Sequence, residues 1–208
     1  LRAEYALHGF VLAFGLILPL GPQNVFVFNQ GALQSNLIKA LPVVITAAVC
    51  DTILITLAIL GVSVIVLSFS WLQTIVYGIG FLFLIYMGWS IWKSAPSKDE
   101  QVESKMSAKK QMTFAISVSL LNPHAILDTI GVIGSNSISY TGLDKLVFTI
   151  ACIGVSWIWF FSLAVAGSVL GRVDTTGKWM IRLNKLSALI IWLVAIFIGK
   201  ELIISLFK

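Results

Sequence analysis

The chain has 208 residues, of which 58% are hydrophobic and only 11% are charged. Soluble domains carry roughly a quarter charged residues, so this composition excludes an ordinary water-soluble globule. Apolar runs of membrane-spanning length recur from one end of the chain to the other, which is typical of transmembrane helices. The sequence therefore predicts an all-α integral membrane protein whose surroundings are a lipid bilayer.

The net charge of +5 does not indicate a nucleic-acid partner. The lysines and arginines lie in the gaps between apolar runs, where the cytoplasmic loops of membrane proteins collect them. Cys50 and Cys152 lie within apolar runs, and the chain has only two histidines. We therefore expect small buried thiols, with no disulfide, metal site or bound cofactor.

About six apolar runs are long enough to cross the ~30 Å hydrocarbon core as helices. They cover residues 5–28, 38–68, 71–92, 112–134, 143–170 and 183–207. Pro19, Gly21 and Pro22 interrupt the first run, which either crosses as a broken helix or re-enters the membrane. We predict one transmembrane domain over residues 1–208, with a flexible polar linker at 94–111.

The positive charges predict the orientation of these runs. Of the 14 lysines and arginines, four lie in loops or termini on one side of the membrane: Arg2, Lys145, Lys200 and Lys208. The other ten lie on the side of the linker. The positive-inside rule therefore places the linker in the cytoplasm.

The second half of the chain repeats the pattern of the first. Residues 18–24 break the first run with two prolines, and Asn122 and Pro123 break the fourth, which opens the second group of three runs. Since three is an odd number, the two groups would be inverted repeats, a layout common among secondary transporters. Broken helices at matching positions point to a binding site near the midplane, although prolines also occur in membrane helices without function.

Two acids, Asp51 and Asp128, lie inside apolar runs, far from loops. Each opposes insertion by about 2.5 to 3.5 kcal/mol at a helix centre, so we expect a function to retain them. The alternative is that they are protonated and join helices by hydrogen bonds. His124 lies one turn before Asp128, where it either relays protons or has a structural role. Helical spacing places Ser117, His124, Asp128 and Ser135 on one face.

The helix breaks supply further candidate ligands. Pro19, Pro22 and Pro123 remove backbone donors, which leaves carbonyl groups able to coordinate an ammonium group. Three side-chain amides lie beside the breaks: Gln23, Asn24 and Asn122. Amides can bind both ends of an amino acid, or they can cap the helix fragments, and the sequence leaves both roles open.

Three segments carry a resemblance to a known family: LPLGPQNVFVFNQG at 18–31, Cys50-Asp51, and LNPHAILDT at 121–129. The chain resembles the LysE-type amino-acid exporters over essentially its whole length, and the lysine and arginine exporters in particular. The resemblance implies export of basic amino acids across a bacterial cytoplasmic membrane, with Asp51 and Asp128 as the matching essential acids. Ile126 is a departure, because these exporters often have an aromatic residue there.

Together these features predict a secondary transporter, not an enzyme, that exports lysine or arginine. Proton exchange is expected because outward movement of a cation opposes about 2.3 kcal/mol per charge per 100 mV, and the sequence lacks a GxxxxGK[ST] motif for ATP. The alternatives are an exporter of neutral amino acids such as homoserine or threonine, a channel, and a hydrolase with an aspartyl pair. The preferred amino acid and any homo-oligomer stay open.

Overall fold

The structure is a computed structural model that describes residues 2–19, 21–61, 69–93, 106–138, 140–173 and 178–206. Every regular element in these residues is helical. The elements are α1 (Ala3–Ile17), α2 (Pro22–Leu33), α3 (Leu37–Ile59), α4 (Ser70–Lys93), α5 (Ala108–Leu120), α6 (Pro123–Asp128), a π-helical segment (Thr129–Gly134), α7 (Ser135–Ser137), α8 (Gly142–Val173) and α9 (Lys178–Leu206). The described part of the chain is therefore all-α, as predicted.

Several helices have the length and composition of membrane spans. Among the described residues, α3, α8 and the Asn184–Ile204 part of α9 are long and apolar enough to cross a bilayer. The pair α1 and α2 passes the same test together, although its two helices are bent by 80°. The protein is therefore a multi-pass membrane protein.

The first break lies between α1 and α2, where the sequence places its prolines. Pro22 lies in the first turn of α2, where its missing N–H group removes no intrahelical hydrogen bond. Gly21 is extended, with φ −78° and ψ 173°, so the chain leaves the helical path before α2 starts. The first predicted run is therefore a broken helix, and its bend is compatible with a crossing span or a re-entrant segment.

The second break lies between α5 and α6. Leu121 and Asn122 leave the α-helical path, and Pro123 begins α6. The helix that precedes this break starts earlier than predicted, because Ser107 Oγ accepts a hydrogen bond from the Lys110 N–H at 3.4 Å and caps α5. Residues 108–111 of the predicted linker are thus its first turn, a correction to that boundary, and residues 94–105 lie outside the described residues.

Helix α3 ends within the second predicted run, before the run's predicted end. Helix α3 ends at Ile59, and Gly61 follows with φ 85°. Glycine adopts this left-handed conformation without the steric penalty of a side chain. The rest of the predicted run, 62–68, lies outside the described residues.

Helix α8 packs against α1, α2 and α3, while α4 packs mainly against α9. The contact between α2 and α8 is unusually close. A Cβ atom on Gly167 would lie 2.1 Å from the Phe28 carbonyl oxygen, and one on Gly31 would lie 2.3 Å from the Ala164 oxygen. Small residues at such positions let membrane helices approach closely, and this approach holds the first break against α8.

Candidate functional site

A cavity of about 470 Å³ lies where the two helix breaks meet. This volume is typical of a site for a small molecule. Eight of the ten predicted site residues line it: Pro19, Gly21, Pro22, Gln23, Asn24, Asp51, Asn122 and Asp128. The side chains of the other two, Pro123 and His124, lie outside the described part of the structure. The fold thus gathers residues that are more than 100 positions apart in the chain.

Asp51 is held in this cavity by neutral hydrogen-bond donors. Its Oδ2 atom accepts from Ser156 Oγ at 3.0 Å, and its Oδ1 atom accepts from Gln23 Nε2 at 3.5 Å. Gln23 Nε2 also lies 3.4 Å from the Ala47 carbonyl oxygen, which orients the amide toward the acid. Hydrogen bonds to a charged group are worth about 1.5 to 3 kcal/mol each. They hold the carboxylate in place without supplying a positive charge.

No basic side chain in the described residues lines the cavity. The ion pair found in that part of the chain joins Arg2 to Asp144 at 3.9 Å, where the Arg2 side chain is 65% exposed. An ionised Asp51 therefore has no ion-pair partner among the described side chains. The cavity is suited to receive a cation.

Asp128 is the last residue of α6 and lies directly before the π-helical segment. It lines the same cavity as Asp51. A π-helix places extra residues in each turn, and one added residue rotates the following positions by about 100°. Ser135 is not among the residues that line the cavity, and neither is Ser117, which lies before the Pro123 break. The predicted spacing therefore does not bring these two serines to the cavity, because the helix between them is broken and π-helical.

Asn24 supports the first break. Its Nδ2 atom donates to the carbonyl oxygens of Ile17 at 2.7 Å and Pro19 at 2.9 Å. Its Oδ1 atom accepts from Trp159 Nε1 of α8 at 3.2 Å. The Pro19 carbonyl oxygen also accepts from the Gly21 N–H at 2.7 Å, so both carbonyl groups at this break already accept hydrogen bonds. In this structure Asn24 makes the capping contacts that the sequence left open as one of its two roles.

Asn122 has the corresponding position at the second break. Its Oδ1 atom accepts from the Ala125 N–H at 3.5 Å, which caps α6, and the residue is 5% exposed. Gln23 differs from both asparagines, because its amide reaches an acid and not a helix end. The three amides that the sequence grouped together therefore make two kinds of contact.

Sequence reasoning missed Ser156, Thr129 and Phe160, which also line the cavity. Ser156 lies in the middle of a long apolar helix without a break, and Phe160 follows it one turn later on the same face. A buried serine in a membrane helix is often a packing residue, so the sequence alone had no reason to select it. Its hydrogen bond to Asp51 identifies Ser156 as a residue of the site.

Broken membrane helices around a cavity that contains two acids are typical of a membrane transporter. The sequence matches the family described as LysE type translocator over residues 14–201. The chain belongs to this family, which confirms the resemblance seen in its motifs.

Two kinds of relative agree with that assignment. "Putative amino-acid transporter YisU" of Bacillus subtilis strain 168 is 56% identical over 196 residues, which cover 94% of this chain and 89% of the relative. Arginine exporter protein ArgO of Salmonella typhimurium strain LT2 is 33% identical over 202 residues, which cover 95% of this chain and 94% of the relative. ArgO of Salmonella paratyphi A has the same identity and coverage. No solved structure matches the chain significantly.

Proposed function

We propose that this chain exports cationic amino acids, arginine or lysine, from the cell in exchange for protons. The observation that carries the proposal is that Asp51 and Asp128 line one cavity, with no basic side chain among the described lining residues. A cationic substrate would supply a positive charge to Asp51, since its donors Ser156 and Gln23 are neutral. The ArgO relative, which is 33% identical to this chain, is named an arginine exporter, and this supports arginine as a substrate.

The cavity offers complementary groups for each part of such a substrate. The first turn of α2 contributes Pro22, Gln23 and Asn24 to the lining, and a helix N-terminus favours a carboxylate through its free N–H groups and its dipole. Asp51 attracts the side-chain cation. Apolar side chains complete the wall and suit an aliphatic stem: Leu16, Ile17, Ile55, Ile133, Ile190 and Val194.

Proton exchange supplies the driving force. Outward movement of a cation opposes about 2.3 kcal/mol per 100 mV of inside-negative potential, so binding alone does not drive export. An ionised acid binds the substrate, and its protonation from outside releases it. We assign the coupling role to Asp128, with His124 one turn before it in the sequence, and substrate binding mainly to Asp51.

We further propose six spans arranged as two inverted repeats in the bacterial cytoplasmic membrane. The packing of helices supports this. In the first half α1 and α2 pack on α8, and in the second half α5 and the π-helical segment pack on α3. Helix α3 also packs on α8, and α4 on α9. Each of these contacts has a counterpart when the halves exchange, as expected for an axis of pseudo-symmetry.

The orientation has a direct test. In a background without Cys50 and Cys152, a single cysteine at position 100 should react with an impermeant thiol reagent only after the membrane is opened. Labelling at position 100 in intact cells would overturn the cytoplasmic assignment of the linker. A second cysteine at position 3 should react in intact cells if the first run crosses the membrane, and only in opened cells if it re-enters.

Export of neutral amino acids is the second candidate. It is favoured by the hydrogen bonds that Asp51 already accepts from Ser156 and Gln23, because these donors stabilise the acid without a cation. In this case the acids would serve proton coupling alone.

Counterflow in liposomes separates the two candidates. Purified protein is reconstituted into liposomes loaded in turn with lysine, arginine, homoserine or leucine, and uptake of the labelled amino acid is measured. We expect counterflow with arginine and lysine and none with leucine. Counterflow with homoserine but not arginine would replace the proposal with its alternative, and saturation would distinguish a carrier from a channel. Cells that express the protein should tolerate canavanine, a toxic arginine analogue, better than control cells.

A further inference from the structure

A second concave surface, lined by residues other than those of the central cavity, lies between α4 and α9. We call it the α4/α9 groove. Its wall is apolar and aromatic, and it consists of Leu82, Ile85, Tyr86, Trp89, Trp192 and Ile196. Leu82 is 69% exposed and Ile196 is 66% exposed. The Asn184–Ile204 part of α9 is long and apolar enough to cross a bilayer, and α4 packs along α9, so exposed apolar side chains on this helix pair are expected to face lipid.

The α4 side of the groove ends in a positive charge. Leu82, Tyr86, Trp89 and Lys93 are separated by four, three and four residues, which places them on one helix face. The Lys93 Nζ atom lies 4.7 Å from the centroid of the Trp89 ring. From Leu82 to Lys93 the helix rises about 16 Å at 1.5 Å per residue, which is about half of the ~30 Å hydrocarbon core. The face therefore has the length of one leaflet.

The α9 side repeats this arrangement. Lys185, Trp192 and Ile196 are separated by seven and four residues and share a face. The Lys185 Nζ atom lies 5.6 Å from the ring centroid of Trp92, and Trp92 stacks on Trp192 with centroids 5.5 Å apart. The stacked pair brings the two helix faces together, so Lys93 and Lys185 stand at the same end of the groove.

The bottom of the groove is preformed by a glycine. A Cβ atom on Gly88 would lie 2.3 Å from Trp192 Nε1, so only glycine lets the indole ring lie against α4 at this position. Trp192 Nε1 then donates to the Ile85 carbonyl oxygen at 3.4 Å. The wall is held in place by the protein's own contacts before anything binds.

We propose that the α4/α9 groove binds one anionic phospholipid, with an acyl chain along the apolar wall and its phosphate between Lys93 and Lys185. The charge complementarity argues for this occupant, since lysines beside a membrane surface attract anionic lipids and tryptophans favour the headgroup level. The positive-inside rule places this end of the groove in the cytoplasmic leaflet. The inference does not depend on the transported substrate.

Native mass spectrometry of the detergent-purified protein tests the site. The protein is incubated with phosphatidylglycerol or phosphatidylcholine of the same acyl chains, and retained lipid is counted. We expect one phosphatidylglycerol per chain, in preference to phosphatidylcholine. Substitution of both Lys93→Gln and Lys185→Gln should lower this preference about 30-fold, at ~1 kcal/mol per lysine. The matched control, Lys39→Gln with Lys109→Gln, removes two exposed lysines away from the groove and should leave the preference unchanged.

A further variant separates the groove from simple charge attraction. Ile196→Trp keeps both lysines and fills the exposed wall, so it should abolish retention of the lipid. Equal retention by the parent and the Lys93→Gln, Lys185→Gln variant would overturn the site. So would equal retention by Ile196→Trp, because the lysines would then act without the groove. A stable dimer with no bound lipid would assign the groove to a second copy of the chain and also overturn the proposal.

Discussion

Asp51→Asn tests the proposed binding site most directly. The substitution keeps the volume of the side chain and one oxygen that can accept from Ser156 Oγ, which now lies 3.0 Å from the acid. It removes only the charge. At a separation of ~4 Å and an effective dielectric constant of ~20, the attraction between the acid and a substrate cation is about 4 kcal/mol. Desolvation of both ions offsets part of this attraction.

A net loss of about 3 kcal/mol corresponds to roughly 100-fold weaker binding of arginine. Insertion should not suffer, because a charge at a helix centre opposes insertion by about 2.5 to 3.5 kcal/mol. We therefore expect normal or raised abundance in the membrane. Binding of labelled arginine to purified protein and the amount of folded protein in size-exclusion profiles measure the two effects separately.

Two matched variants complete this experiment. Asp51→Glu keeps the charge and should bind arginine better than Asp51→Asn. Asp144→Asn makes the same chemical change outside the cavity, where Asp144 faces Arg2, and should leave binding unchanged. Parental arginine affinity in Asp51→Asn at normal abundance would refute the proposed role, and loss of folded protein would indicate instead that the acid joins helices.

Three further predictions follow from the same geometry. Asp128→Asn should abolish proton-driven efflux at normal abundance, and efflux that still responds to an imposed pH gradient in liposomes would contradict its coupling role. Gly167→Ala should lower the melting temperature, because the new Cβ would lie 2.1 Å from a carbonyl oxygen of α2, whereas Gly154→Ala in the same helix has no neighbour within 4 Å and is the control. Equal melting temperatures would argue against the close helix contact. Asn24→Ala removes the side-chain donor to the Ile17 carbonyl and leaves the Pro19 carbonyl with only the Gly21 N–H, which should cost about 1 to 3 kcal/mol, visible as a lower denaturation midpoint.

The two breaks could be predicted because their causes are local. Pro22 and Pro123 lack a backbone donor wherever the chain places them, and each begins a helix in the structure. The two acids could be singled out for a similar reason. The free energy of placing each acid in a membrane depends on the apolar residues around it in the sequence. Each acid can therefore be recognised without knowledge of its hydrogen-bond partners in the fold.

Other features depend on neighbours that are distant in the chain. Ser156 is chemically ordinary within its helix, and only the packing of α8 against α3 brings its hydroxyl group to Asp51. Hydropathy predicts too late a start for α5, because it does not register the polar first turn of a helix that Ser107 caps. The π-helical segment after Asp128 alters which residues share a face relative to a regular α-helix. No periodicity in the sequence predicts this segment.

The sequence by itself determined the membrane class, the positions of the helix breaks and the two acids that merit attention, since these follow from composition, from the covalent geometry of proline and from the free energy of burying a charge. Only the tertiary structure decided that both breaks open on one cavity, that Asp51 is held by Ser156 and Gln23, and that Asn24 serves the helix end. The physical reason is that hydrogen bonds and cavities depend on distances of a few ångströms. Such distances arise only when helices separated in the chain pack together.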